Sequence, residues 1–222
     1  MTTVAILGAG RGLGAAVARR FGREGFAVGL VSRHQGPLDA LAAELAQDDV
    51  QAQGFTADVR VPATIAAALQ QVSEALGPIE VLQYSPLPEQ AFMRPVLETT
   101  AADLRGAVDF SIHGSLAAVQ QVLPGMRSLG DRATPSILFV NGDAAVRPDR
   151  TRAGTSVAFA GQAAYAELLH EVLGEEGIYV GQLVIGGQII EGDPEKDPEI
   201  LAEQLWRLHT GRDTFRIQVG VD

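Results

Sequence analysis

Short runs rich in Val, Ile and Leu alternate along the chain with Ala- and Leu-rich segments whose apolar residues recur at helical spacing. The runs predict strands at Thr3–Leu7, Ala27–Val31, Val50–Ala57, Ile79–Gln83, Ser136–Asn141, Tyr179–Ile185 and Phe215–Val219. Between them the periodicity predicts helices near Gly12–Arg23, Pro37–Ala46, Pro62–Ala75, Ala101–Ser128, Thr155–Glu175 and Pro198–His209. Leu168, Leu169, Val172 and Leu173 illustrate the helical spacing. Strand–helix alternation with short connections implies an α/β fold, a mostly parallel seven-stranded sheet with helices on both faces. Right-handed crossovers then favour a doubly wound arrangement. No internal repeat, low-complexity tract or linker divides residues 1–222, so a single domain is expected. Gly186–Pro198 is the least regular stretch.

Composition narrows the partners. Seventeen basic against 27 acidic residues give a net charge of −10, which disfavours nucleic acid and anionic membranes. The absence of cysteine removes disulfides and thiolate chemistry, and a cytoplasmic location is the default expectation. No signal peptide and no bilayer-spanning run is expected. His34, His113, His170 and His209 lack metal-ligand spacing, so no metal is expected. The chain has one lysine, Lys196, which excludes any mechanism that needs a lysine in mid-chain.

The stretch VAILGAGRGLGAAVARRF sets Gly8, Gly12 and Gly14 between a strand and a helix. Gly8 permits the tight turn, Gly12 lets backbone approach a pyrophosphate, and Gly14 lets the helix pack near the sheet. The helix start offers free N–H groups and a positive dipole end to phosphate. This context points to a dinucleotide-binding Rossmann domain, with Gly8, Gly10, Arg11, Gly12, Leu13 and Gly14 as the cradle; the alternative is a glycine turn kept only for packing. At the end of the second strand, where an NAD site offers a carboxylate, the chain has Ser32 and Arg33. Arg33, with Arg11 as a second cation, points to NADP(H) as the cofactor. The alternative is a pair of solvated surface arginines.

With these motifs the chain resembles the short-chain dehydrogenase/reductase family over nearly all its length. The loop LGAGRGLG is similar to the family's glycine loop, with Leu7 in place of threonine. In ADVR, the resemblance implies that Asp58 and Val59 line the adenine pocket. PIEVLQYSPL is similar to the strand carrying Asn-Asn-Ala-Gly, but reads Tyr84-Ser85-Pro86-Leu87 there, so Tyr84 and Ser85 are cofactor-binding candidates. The family's Asn, Ser, Tyr and Lys correspond to Ser111, Gly142, Thr155 and Phe159. The usual Pro-Gly after the sixth strand reads Gly186-Gly187.

In the family the lysine holds the nicotinamide ribose and lowers the tyrosine pKa, and the tyrosine protonates the carbonyl oxygen. General acid catalysis of this kind contributes about 10²–10⁴-fold. Threonine and phenylalanine cannot replace that pair, so ordinary ketone reduction is not expected. Tyr84, Asp143 and Thr155 are the candidate catalytic residues. Each has a plainer alternative: Tyr84 as filler for the space of the asparagine, Asp143 as a loop acid, and Thr155, or Ser156 beside it, as a helix cap. Arg147, Arg150 and Arg152 either draw an anionic substrate or form a solvated loop.

The expected function is an NADP(H)-binding oxidoreductase with an atypical active site, acting on an unknown small molecule such as an already activated iminium or conjugated system. The alternatives are a catalytically inactive NADP(H)-binding or sensing module, and a non-redox enzyme that reuses the pocket. The segments Ala101–Ser128 and Thr155–Glu175 resemble the helix pair through which family members dimerise, so a homo-oligomer, dimer or tetramer, is expected.

Overall fold

The computed structural model describes residues 2–221. Seven strands form one sheet: β1 (Thr3–Leu7), β2 (Ala27–Ser32), β3 (Ala52–Thr56), β4 (Ile79–Tyr84), β5 (Ser136–Gly142), β6 (Tyr179–Ile185) and β7 (Arg216–Val219). Their order is β3-β2-β1-β4-β5-β6-β7, and every neighbouring pair is parallel. The strand order reverses between β1 and β4, which opens a crevice at the carboxyl ends of those strands. Strands buried on both faces read as continuous apolar runs, and β1 is buried at all five positions.

The helices are α1 (Leu13–Gly22), α2 (Gln35–Ala46), α3 (Pro62–Leu76), α4 (Ala101–Val108), α5 (Gly114–Arg127), α6 (Ala153–Gly174) and α7 (Pro198–Gly211). Local chemistry fixes several boundaries. Thr100 caps α4 in a reciprocal box with Asp103. Asp197 accepts from the Glu199 N–H to start α7, and Pro198 occupies its first turn. Apolar stripes of α1, α2 and α7 cover one face of the sheet. Those of α3, α5 and α6 cover the other. Among the described residues no helix is long and apolar enough to cross a membrane.

One helical stretch has a feature the periodicity did not show. Residues 101–127 are helical throughout, but a π-helical turn, Asp109–His113, lies between α4 and α5. The widened turn offers its carbonyls to side chains of other elements, the Tyr84 hydroxyl to Phe110 and the Gln162 amide to Ser111. A Cβ on Gly114, directly after the turn, would collide with the Val59 carbonyl and the Tyr84 hydroxyl. Apolar spacing persists through a single widened turn, so periodicity does not reveal it.

Candidate active site and nucleotide cleft

At the switch point lies a cavity of about 270 Å³, walled by the turn after β1 (Gly8, Gly10), the end of β2 (Ser32, Arg33) and the end of β3 (Asp58, Val59). Gly8 has φ 89°, and a Cβ there would lie 2.5 Å from the Pro86 Cα, so the turn requires glycine. A Cβ on Gly14 would sit 3.0 Å from the Ala9 Cα, which lets α1 lie close to the turn. Gly10 and Gly12 face open space. Gly12 precedes α1 without a side-chain cap, and the first turn carries no acid. The helix therefore leaves its first N–H groups and positive end to an anion. The Leu13 side chain joins the core, so its backbone is what it offers to a ligand. These features fit the phosphate-bearing half of a dinucleotide.

Arg33 lines the cavity, and a further arginine joins it. Arg11 is exposed at the loop tip and does not line the cavity; the second lining arginine is Arg60. Arg60 binds Asp58 through Nη2 at 3.0 Å and Nε at 3.2 Å. That hydrogen bonding to Arg60 holds the Asp58 carboxyl below the ordinary carboxylate range, against the effect of burial. Glu89, in the loop after β4, accepts from Arg33 at 2.9 Å and Arg60 at 3.3 Å. Arg60 was legible as the residue ending ADVR; Glu89 had no sequence signal, because its position depends on how the long loop folds back.

Of the catalytic candidates, Asp143 and Thr155 both bind Arg152, whereas Tyr84 binds elsewhere. Tyr84 is 1% exposed, and its hydroxyl donates to the Phe110 carbonyl at 2.5 Å. Burial, then the charge of Asp58, pushes its phenol well above the ordinary tyrosine value. This geometry favours Tyr84 as packing over Tyr84 as proton donor or ligand contact. Ser85 accepts from Gln83 at 2.8 Å and donates to the Leu7 carbonyl at 3.3 Å, tying β4 to β1. Thr155 is 3% exposed and donates to the Arg152 carbonyl at 3.0 Å. Ser156 bridges to the backbone of Asp149. Asp143 stands at the carboxyl edge after β5 and accepts from Arg152 at 3.3 Å through Oδ1.

Beside these residues sits a small apolar cluster that includes Phe92, Phe110, Phe159, Ala144 and Ala158. A Cβ on Gly142 would lie 3.7 Å from the Phe159 ring. The Phe92 carbonyl lies so close over Gly154 that a Cβ there would approach it to 2.6 Å. The Ala153 N–H donates to the Arg94 carbonyl and the Val96 N–H to the Arg150 carbonyl, each at 2.9 Å. The segment after β4 is thus laid across the start of α6.

The model of the short chain dehydrogenase family matches residues 2–189. The chain belongs to this family. It is 30% identical over 173 residues to the 2,3-dihydro-2,3-dihydroxybenzoate dehydrogenase of Bacillus subtilis, covering 77% of this chain and 62% of that protein. The chain therefore spans less than two thirds of that family member. Its fold is similar to that of a short-chain dehydrogenase from Rhodopseudomonas palustris, with TM-score 0.85, 25% identity and coverage of 98% and 97%. It is also similar to an NADPH-bound short-chain oxidoreductase from Pseudomonas aeruginosa that contains an atypical catalytic center, with TM-score 0.86, 19% identity and coverage of 100% and 96%. The seven-stranded doubly wound sheet is the fold of these relatives.

Proposed function

We propose that this chain is an NADP(H)-dependent oxidoreductase of the short-chain type that works without a tyrosine–lysine relay on a small, already activated substrate. One contrast carries the reading. The glycine turn and the two arginines of the cavity support a phosphate cradle, whereas the start of α6 presents a committed Thr155 hydroxyl and a Phe159 ring packed among phenylalanines. The family's Asn, Ser, Tyr and Lys places are read as Ser111, Gly142, Thr155 and Phe159. The P. aeruginosa structure supports the combination, since it joins this fold, NADPH and an atypical centre in one protein.

Bound NADPH would supply the hydride. The turn from Gly8 to Gly14 would hold the pyrophosphate, Asp58 and Val59 would flank the adenine, and Arg33 with Arg60 would meet the 2′-phosphate. Asp143 stands at the carboxyl edge with its Oδ1 on Arg152 and is the candidate acid of this reading. An iminium or conjugated acceptor needs less from such a group than a ketone does. The exposed Val157, Leu168 and Val172 of α6 support a homo-oligomer that covers that helix.

A second reading, an NADP(H)-binding or sensing module, is supported by the Phe92–Val96 segment laid over the α6 start. The test is calorimetry with NADPH and NADP⁺, followed by NADPH oxidation with a panel of carbonyls, imines and enones. The expected result is saturable binding and turnover of activated acceptors, reduced at least about 100-fold in Asp143→Asn. Binding without turnover would leave the sensing module. No binding of either nucleotide would sink both readings.

A further inference from the structure

The adenosine cavity holds an internal anion. Glu89 places Oε1 on Arg33 at 2.9 Å and Oε2 on Arg60 at 3.3 Å, so one carboxylate spans both guanidinium groups that line the cavity. A carboxylate bridging two arginines offers them paired anionic oxygens, the same kind of acceptor that a 2′-phosphate would present. Asp58 already engages Arg60 on its other edge. Beside His34, the two guanidinium charges of Arg33 and Arg60 are offset by the carboxylates of Asp58 and Glu89, so a phosphate entering this corner must compete for cations that are already paired.

We infer that Glu89 sets the preference between phosphorylated and unphosphorylated dinucleotides by competing with the 2′-phosphate for Arg33 and Arg60. The inference rests on the NADP(H) reading above. A ligand carrying the phosphate must displace Glu89 from both arginines and then lie beside a like charge. A ligand with a free 2′-hydroxyl leaves the three-residue bridge intact. Glu89 is therefore a specificity-determining residue, and it tempers the affinity that two arginines would otherwise give. It lies in the loop after β4, and its carboxylate is about a third exposed, so its release requires no change in the core.

The test measures dissociation constants of NADPH and NADH by calorimetry for the full chain, Glu89→Gln and Glu89→Ala. Both variants are expected to tighten NADPH by about tenfold and NADH by less than about twofold, and the NADPH gain should shrink in high salt. A purely structural role would change both affinities together or only the melting temperature. If the unsubstituted chain binds NADPH and the ratio is unchanged, or moves toward NADH, the Glu89 inference is overturned and the cofactor reading stands. If neither the chain nor its variants bind either dinucleotide, the cofactor reading and the inference fall together.

Discussion

The hydroxyl of Tyr84 donates to the backbone carbonyl of Phe110 across 2.5 Å, joining the end of β4 to the π-helical turn that precedes α5. The next carbonyl of that turn, on Ser111, accepts from Gln162 Nε2 at 2.5 Å. Gln162 in turn accepts from Asn141 at 2.6 Å, and Asn141 accepts from Gln182 at 2.7 Å. Arg216 completes the chain on Gln182 at 2.6 Å. A polar line therefore runs from the widened turn, past β5 and β6, to β7. Buried polar groups of this kind specify a unique packing when each is satisfied.

Tyr84→Phe removes the phenol that serves the Phe110 carbonyl in a dry site. Loss of one buried hydrogen bond costs about 1–3 kcal/mol. Denaturant unfolding should show that loss, while NADPH affinity and any turnover stay within about twofold. A fall in turnover of about 100-fold at unchanged stability would instead make Tyr84 the proton donor.

The parts of this molecule set by local pattern were legible in the sequence, and those set by long-range folding were not. β1 and β6 follow directly from apolar runs, and the glycine turn from spacing. Asp58 and Val59 were pointed to by the family resemblance of ADVR, and both line the cavity. The widened turn at Asp109–His113 was hidden because its cause lies in Tyr84, Val59 and Gln162, none of them near in sequence. Arg60, which ends ADVR, joins Arg33 in lining the cavity, and its bridge through Glu89 was hidden because it depends on how the loop after β4 folds back. Tyr84 misleads for a related reason: a tyrosine at a carboxyl edge suggests chemistry, but its rotamer takes it into the core.

Far from the cleft, His209 of α7 is buried among Phe21, Phe26 and Trp206, with Nδ1 2.8 Å from the Ser136 hydroxyl. Burial, then the Arg212 charge, lowers its pKa to about 4. The unfolded chain binds this proton near 6.5, so between those values it holds more protons than the folded chain. Stability is then fully present above pH 6.5 and falls as pH drops toward 4, by on the order of 3 kcal/mol. Urea denaturation from pH 7.5 to 4.5 should show this slope. His209→Asn, whatever its stability at neutral pH, should flatten it. An equal slope in the variant would assign the acid sensitivity to carboxylates.

Phe159 stands where the proposed reading puts the family's lysine, and it tests that reading directly. Its ring is 6% exposed and packs with Phe92, Phe110 and Ala158. Phe159→Lys exchanges that contact for an ammonium in a site whose neighbours are aromatic rings and alanines. Loss of a buried phenylalanine costs about 3–5 kcal/mol, and the desolvated amine adds to it. Burial would also lower the lysine pKa, so the neutral amine predominates in the folded state. Thr155 beside it still has its hydroxyl on the Arg152 carbonyl, with no phenol to activate. The expected outcome is a sharply destabilised chain with no gain in NADPH-dependent ketone reduction, read by thermal unfolding and NADPH absorbance. A stable variant that reduces ketones would mean that the apolar cluster opens readily and that the lost cation alone had silenced the site.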